Sequence, residues 1–578
     1  MTTDPARTPL LLMAALLAAA LPTLLAWNVS PSPTFLNQAL ALGGWAALVL
    51  LLAATQPSQR GFSASRAAWP VQAALALLAL AALASGVFGA LPHSLTLSAL
   101  GMLGIAALLV HAGAAARGAT DGDAVFACFA WAWLVTGLVN LGLGLVQVFA
   151  PAWPDGDWIA ASNIVGRAVG NLRQPNHLSS VLLWAAIAAV ALLELRRLPR
   201  AAGALAFAAL IVGVVLTASR TGLVSVGVLA LWGLLDRRLS RPVRALLLAA
   251  PLLYALAWFG MAQWAEITRQ SFGGAARLAE TDVSGSRFRI WANTLALVRA
   301  HPWAGVGWGE FNLAWTLTPF PGRPTAFFDH THNLPLQLAV ELGLPLAALV
   351  LALLLGALAL TVRRAGRAAG DGAASRRAAL MFVLMIGLHS LLEYPLWYAY
   401  FLLPAAWAFG FGLGADAQPA EREGVRMLFP AAALALALVS YAVWDYTRVT
   451  AIFSAADGDV PLAQRIERGQ DSLFFAHHAD YAAATTEVDP RLRAHAFDRA
   501  THYLLDTRLM MAWAEELARQ GDVDRARHLA ARLREFRNPA SKEWFAVCDL
   551  PPAAGTPGPF LCEPPQRSYG WRDFLPRR

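Results

Sequence analysis

Hydrophobic positions in this chain come in long unbroken blocks. Examples are "LLLMAALLAAALPTLL" (10–25) and "LPLAALVLALLLGALALTV" (344–362). A helix needs about 20 apolar residues to cross the roughly 30 Å hydrocarbon core of a bilayer. About thirteen blocks approach that length, near 9–27, 36–54, 70–90, 94–112, 124–149, 178–194, 202–218, 221–235, 244–263, 335–361, 378–394, 396–414 and 427–444. The pattern predicts an all-α, polytopic membrane bundle. The first block follows Arg7 without a small-residue cleavage site, so a retained helix is expected there.

The polar segments between the blocks alternate in character. Arginines gather in every second connection: Arg60 and Arg66; Arg117; Arg196, Arg197 and Arg200; Arg237, Arg238, Arg241 and Arg244; Arg363, Arg364, Arg367, Arg376 and Arg377; Arg422 and Arg426. Cytoplasmic loops carry such an excess, so the N-terminus is expected in the cytoplasm. An odd number of spans then puts everything after about residue 445 on the opposite, periplasmic face. The unusual polar segments fall on that same face: 150–177, "SRTG" at 219–222, a large loop at 264–334, "HSLLEYPLWYAY" at 389–400 and the C-terminal region. Four regions follow: N-terminal transmembrane helices (1–150), a core carrying the large loop (151–415), a last span (416–444) and a periplasmic helical domain (445–578). In the last, "LMMAWAEELARQGDVDRARHLAARLREF" (509–536) predicts two amphipathic helices joined at Gly521-Asp522, the pattern of a tetratricopeptide-like hairpin.

Composition agrees with a membrane protein. Of 578 residues 57% are hydrophobic and 14% charged, against about 25% charged in soluble proteins. The net charge of +8 is carried by arginines in short loops, with Lys542 the single lysine. No soluble basic face with interleaved aromatics is present, which excludes a nucleic-acid partner. Cys128 lies in an apolar run. Cys548 and Cys562 are close enough in sequence for a disulfide in an oxidising compartment.

Five polar segments hold the candidate chemistry. "NLRQPNH" (171–177) offers Gln174 and Asn176, whose amides suit sugar hydroxyls or phosphate oxygens, or else cap the next span. "TASRTG" (217–222) sets Arg220 at a membrane border, where a guanidinium marks a substrate or snorkels to headgroups. The large loop carries Arg287 and Arg289, a pair suited to a pyrophosphate or to anionic lipid; spacing does not choose between them. "FFDHTHNLPLQLAVELG" (327–343) places His330 and His332 beside Asp329 and Asn333. The His-x-His pair is compatible with a metal, but no third ligand stands at a recognisable spacing, so metal ligation is not expected. A histidine is half-neutral near pH 6.5 and can accept a proton. His332 is therefore the candidate general base, with Asn333 or Asp329 to orient it. "HSLLEYPLWYAYFLLP" (389–404) contributes Glu393, an intramembrane carboxylate, with Tyr394 and Tyr398 as an aromatic shelf.

In this order, "GNLRQPNHLSS", "TASRTG", the arginine-bearing loop, "DHTHNLPLQLAVELG" and "HSLLEYPLWYAYFLLP" resemble the O-antigen ligase superfamily of bacterial inner-membrane glycosyltransferases. Within it they are most like the protein O-oligosaccharyltransferases (PglL type). The resemblance covers roughly residues 165–405. It implies transfer of a glycan en bloc from undecaprenyl pyrophosphate, at the periplasmic face, to Ser or Thr of a periplasmic acceptor protein such as a pilin. No metal or other cofactor is implied. His332 would take the acceptor proton, while Arg220 and Arg287, with Arg289 in reserve, would stabilise the leaving pyrophosphate. Gln174, Asn176, His330, Asn333, Glu393, Tyr394 and Tyr398 would bind substrate. The alternatives are an O-antigen ligase acting on lipid A–core, a Wzy-type polymerase and, from another class, a transporter of the lipid-linked glycan.

Overall fold

A computed structural model of the chain describes residues 7–55, 66–119, 121–274, 283–320, 322–368, 372–415, 427–454, 459–486, 490–493, 495–550 and 558–575. Arg60, Arg422 and Arg426 lie outside the described residues, as does much of the proline-rich end. The described residues are helices and connections, with no strand among them. The helices up to the large loop are α1 (Arg7–Leu24), α2 (Phe35–Thr55), α3 (Trp69–Val87), α4 (His93–Gly118), α5 (Gly122–Phe149), α6 (Pro175–Glu194), α7 (Arg200–Leu216), α8 (Arg220–Leu235) and α9 (Arg241–Thr268). Beyond the loop come Leu334–Arg367, Gly372–Ser390, Ala399–Leu413 and Leu428–Phe453, followed by shorter helices of the C-terminal region.

Among the described residues, nine helices are long and apolar enough to cross a membrane: α1 to α6, α9, Leu334–Arg367 and Leu428–Phe453. Three of the expected spans, α7, α8 and Ala399–Leu413, are apolar but shorter, at 17, 16 and 15 residues. The block expected at 378–394 is the helix Gly372–Ser390, which carries Arg376 and Arg377 in its second turn. The chain is a multi-pass membrane protein.

Two units divide the chain. The first comprises 1–75, 104–280 and 353–440. Its centre is α6, whose apolar stretch is 94% buried, whereas only 22% of that of α9 is buried. Around α6 pack α5, α7, α8 and Gly372–Ser390. Trp133 meets Trp184 edge-on, and Phe129 stacks on Trp407 with centroids 4.5 Å apart. One end of this unit collects the arginine-rich connections. Arg7 pairs with Asp121, Arg117 with Asp123 at 3.0 Å and Arg377 with Asp236 at 2.9 Å. Ser375 also bonds Asp123, and Arg364 reaches the Gly414 carbonyl at 3.0 Å. Each of these four guanidinium groups has a carboxylate or a carbonyl to offset the cost of leaving water. The opposite ends of α6 and α8 carry Asn176 and Arg220.

The second unit comprises 76–103, 281–352 and 441–578. Helices Thr507–Arg519 and Val523–Phe536 pack on each other. The chain turns between them at Gly521 (φ +83°), and Asp522 caps the second helix by accepting from the Arg525 amide. Cys548 and Cys562 form a disulfide with Cα atoms 5.4 Å apart. Free Cys128, in the first unit, is buried.

Candidate functional site

The expected site residues fall into both units, so they form two groups. In the first unit three polar segments meet at Asn176. Its amide donates to Glu393 Oε1 at 3.0 Å, and its carbonyl oxygen accepts from Ser219 Oγ at 2.7 Å. "NLRQPNH", "TASRTG" and "HSLLEYPLW" are therefore tied by two hydrogen bonds. Glu393 is buried, so this donor offsets part of the cost of desolvating a carboxylate. Gln174 acts differently: its side-chain oxygen accepts from the His177 amide at 2.8 Å and caps α6.

Arg220 is the first residue of α8, with its side chain exposed. Ser219 caps the helix, accepting from the Gly222 amide at 3.0 Å. Glycine is required at 222, where a Cβ would stand 2.4 Å from Ser179 Oγ on α6. That close approach sets the N-termini of α6 and α8 side by side. Backbone N–H groups and two dipole ends then favour negative charge at this spot. Arg167, which the sequence reading missed, is buried here and donates to the Thr217 carbonyl from Nε at 2.8 Å and to Ala218 O at 3.4 Å. It holds the turn in which Ala218 takes a left-handed backbone (φ 47°).

Tyr394 and Tyr398 stack with centroids 6.1 Å apart, and Tyr398 stacks on Tyr400 at 5.2 Å. Tyr398 also packs edge-on against His177 at 4.7 Å. His177, Ser180 and His389 were not singled out in the sequence; the Ser180 hydroxyl lies 2.8 Å from His389 Nδ1. The available signal was their helical spacing behind the two motifs, which core residues share.

In the second unit, the histidine loop is held by its backbone. His330 Nδ1 lies 3.0 Å from Asp329 Oδ1. Burial opposes ionisation of Asp329, but His330, the backbone amide and His332 together outweigh it and hold the carboxyl below its ordinary range. Thr331, between the histidines, is fully buried. Its amide donates to Gln337 Oε1 at 2.7 Å, its hydroxyl to Asn333 O at 2.8 Å, and its carbonyl accepts from Trp291 Nε1 at 2.9 Å. His332 has a left-handed backbone (φ 55°), costly for a non-glycine residue, and its ring stands edge-on to Phe328 at 5.3 Å. Asn333 Oδ1 accepts from the Leu336 amide at 3.0 Å, capping the helix that follows.

Trp291 also sorts the two arginines. Both lie on the helix Val283–Ala300. Arg287 precedes Trp291 by four residues and shares its face, toward the histidine loop. Arg289 is two residues away from each of these, on the other side of the helix, and is exposed while Arg287 is half-buried.

"ELG" and the glycine-rich turn before it form one clamp. The helix Leu334–Arg367 breaks at Gly343 (φ 75°, ψ 163°). The break frees carbonyls, and neighbouring amides bind them: Val306 N to Val340 O at 2.8 Å and Gly307 N to Glu341 O at 3.0 Å. A Cβ at Gly343 would lie 2.3 Å from Trp303 O, which leaves room for glycine alone. Glu341 accepts from Gln337 Nε2 at 2.9 Å, so the clamp reaches Thr331 through Gln337. Among the described residues, no group of three or more His, Cys, Asp or Glu is arranged to hold a metal ion.

Three family descriptions match parts of the chain: O-antigen ligase over residues 205–351, protein glycosylation ligase over 168–193, and the C-terminal part of a virulence factor membrane-bound polymerase over 377–546. The chain is similar to the ComP-specific O-oligosaccharyltransferase of Acinetobacter baylyi, 26% identical over 288 residues, covering 47% of each protein. It is also similar to the general O-oligosaccharyltransferase of that organism, 26% identical over 255 residues, 42% of this chain and 43% of the relative. The chain thus spans a little under half the length of the curated relatives it matches.

Proposed function

We propose that this chain, which carries an O-antigen ligase segment and a protein glycosylation ligase segment, is a protein O-oligosaccharyltransferase. It moves a glycan en bloc from undecaprenyl pyrophosphate to Ser or Thr hydroxyls of periplasmic proteins, in a thirteen-span inner-membrane protein with its N-terminus in the cytoplasm. The observation that carries the reading is the junction at Asn176, which ties together three of the segments on which the family resemblance rests.

In this mechanism the bond between the anomeric carbon and the pyrophosphate oxygen breaks as the acceptor oxygen attacks from the opposite side. His332 takes the acceptor proton. Negative charge grows on the diphosphate, and fixed cations aimed at it lower the barrier. Arg220 supplies one, beside the paired helix N-termini, and Arg287 the other, with Arg289 the weaker choice. Asn176 and Glu393 set the floor of the donor pocket. Tyr394 and Tyr398 receive sugar, while Gln174, His330 and Asn333 support the loops that bind it.

The test is cell-free transfer from purified lipid-linked oligosaccharide to a pilin-like protein, to lipid A–core and to a second lipid-linked glycan. Glycosylated protein is the expected product. Removing one preorganised charge contact typically costs about 10²–10³ in rate, so His332→Ala and Arg220→Ala should nearly abolish transfer while the protein still inserts. Product on lipid A–core alone, or no covalent product, overturns the reading. A polymerase acting on lipid-linked repeats is the second reading, favoured by the match over residues 377–546; lengthened lipid-linked glycan is its signature.

A further inference from the structure

The C-terminal region is joined to the histidine loop by a continuous ladder of rings. Phe536, last residue of the helix Val523–Phe536, is fully buried. It stacks on Phe327 with centroids 3.8 Å apart and planes 13° apart, and meets Trp315 edge-on at 5.5 Å. Trp315 packs against Phe328 at 5.8 Å, and Phe328 against the His332 ring at 5.3 Å. A second set of contacts fixes the segment that leads into the loop. Arg323 is wholly buried, with Nε 3.0 Å from Glu535 Oε2 and its guanidinium 4.5 Å from the Phe536 ring centroid. It also donates to the carbonyls of Thr316 and Thr318. Arg537 donates back to Arg323 O at 3.1 Å, and the Phe320 amide to Glu535 Oε2 at 3.3 Å. The Phe328 carbonyl is bound by Asn312 Nδ2 at 2.9 Å, while Asn312 Oδ1 accepts from Leu505 N at 2.8 Å.

We infer that the C-terminal helix Val523–Phe536 is a positioning element for His332, with Phe536 and Glu535 as the positioning residues; the inference rests on the proposed role of His332 as base. His332 sits in a strained left-handed conformation, which persists only where its surroundings over-determine it. Thr331 pins the backbone of the loop, and the ring ladder fixes the direction of the imidazole. Neither Phe536 nor Glu535 touches substrate in this scheme; each acts through Phe327, Phe328 and Arg323. The C-terminal region thereby becomes part of the catalytic apparatus in addition to any acceptor contact it makes.

The test uses the full chain in lipid nanodiscs, as wild type, Phe536→Ala, Phe536→Leu and Glu535→Gln. Two readouts are taken. The first is carbethoxylation of His332 by diethyl pyrocarbonate, followed by peptide mass spectrometry against His495, whose side chain is 79% exposed. It reports the placement of His332 whether or not glycan is transferred. The second is kcat and KM for transfer to protein. Phe536→Ala should shift the His332 rate several-fold relative to His495 and lower kcat by about 10- to 100-fold, the penalty of a misplaced catalytic group, with KM for the donor unchanged. Phe536→Leu, which refills most of the volume, should recover most of both. Glu535→Gln keeps the side chain's size and should move both readouts in the same direction, more weakly. An unchanged His332 rate in Phe536→Ala and Glu535→Gln, or a raised KM at unaltered kcat, overturns the inference. A shifted His332 rate in a protein whose wild type transfers no glycan supports the positioning role and overturns the transferase reading instead.

Discussion

Replacing Asn176 by aspartate should set a carboxylate in place of the donor that now faces Glu393. The two groups are 3.0 Å apart and Glu393 is buried. With an effective dielectric near 20, unit charges at that distance repel by about 5 kcal/mol. The lost hydrogen bond to a charged acceptor adds about 1.5–3 kcal/mol. The Ser219 hydroxyl would still donate to either side chain, so that contact cancels in the comparison. Two carboxylates that close cannot both stay ionised, so the pair takes up a proton. That caps the penalty at about 3–4 kcal/mol at neutral pH, still a large part of the stability of an ordinary domain. Asn176→Asp should therefore unfold at markedly lower temperature in micelles and transfer little glycan. Adding Glu393→Gln restores a donor facing a carboxylate with the polarity reversed, so the double variant should regain most of the thermal stability. The assay is a double-mutant cycle read by thermal unfolding and by cell-free transfer. Equal behaviour of Asn176→Asp with and without Glu393→Gln would show that the two side chains are not coupled and would refute the junction at Asn176.

Three further outcomes are expected. Gly222→Ala drives a methyl to 2.4 Å from Ser179 Oγ and should cost about 1–3 kcal/mol by overpacking, with Ser179→Gly restoring much of the loss in the same thermal scan. Burial pushes the imidazole of His528 down to about 4, and its Nε2 donates to Leu317 O at 2.9 Å. The folded state therefore binds fewer protons than the unfolded one between about pH 6.5 and 4. Stability from this group is complete above pH 6.5 and falls as pH drops toward 4, by at most about 1.4 kcal/mol per pH unit; unfolding followed against pH in wild type and His528→Gln should show a flatter acid limb in the variant. Finally, Arg287→Ala should reduce transfer by at least about tenfold more than Arg289→Ala, and equal losses would dissolve the distinction drawn from Trp291.

Much of the architecture was legible in the chain because membrane burial demands long apolar blocks. Each of the thirteen expected blocks is helical, although α7, α8 and Ala399–Leu413 are short and Gly372–Ser390 is marked by two arginines. The hairpin at 509–536 was equally readable, since small apolar residues at helical spacing and a glycine at the turn leave few alternatives. Candidate residues were visible as polar intrusions, but their partners were not. Gln174 and Asn176 look alike in sequence; one spends its oxygen on a helix cap, while the other bridges Ser219 and Glu393. Arg167 drew no notice, because a buried arginine is recognised only by the carbonyls around it.

By itself, then, the amino-acid sequence determined which segments are helical and apolar and which residue types interrupt them, since propensity, block length and charge act locally along the chain. Tertiary structure alone decided which interruptions meet. Asn176 finds a partner 217 positions away, Arg287 is distinguished from Arg289 by the residue its helix face presents to Thr331, and Gly343 is needed because the Trp303 carbonyl lies where a side chain would go. Hydrogen bonds and steric exclusion act over about 3 Å; which atoms come that close depends on how the helices pack, and no local pattern records it.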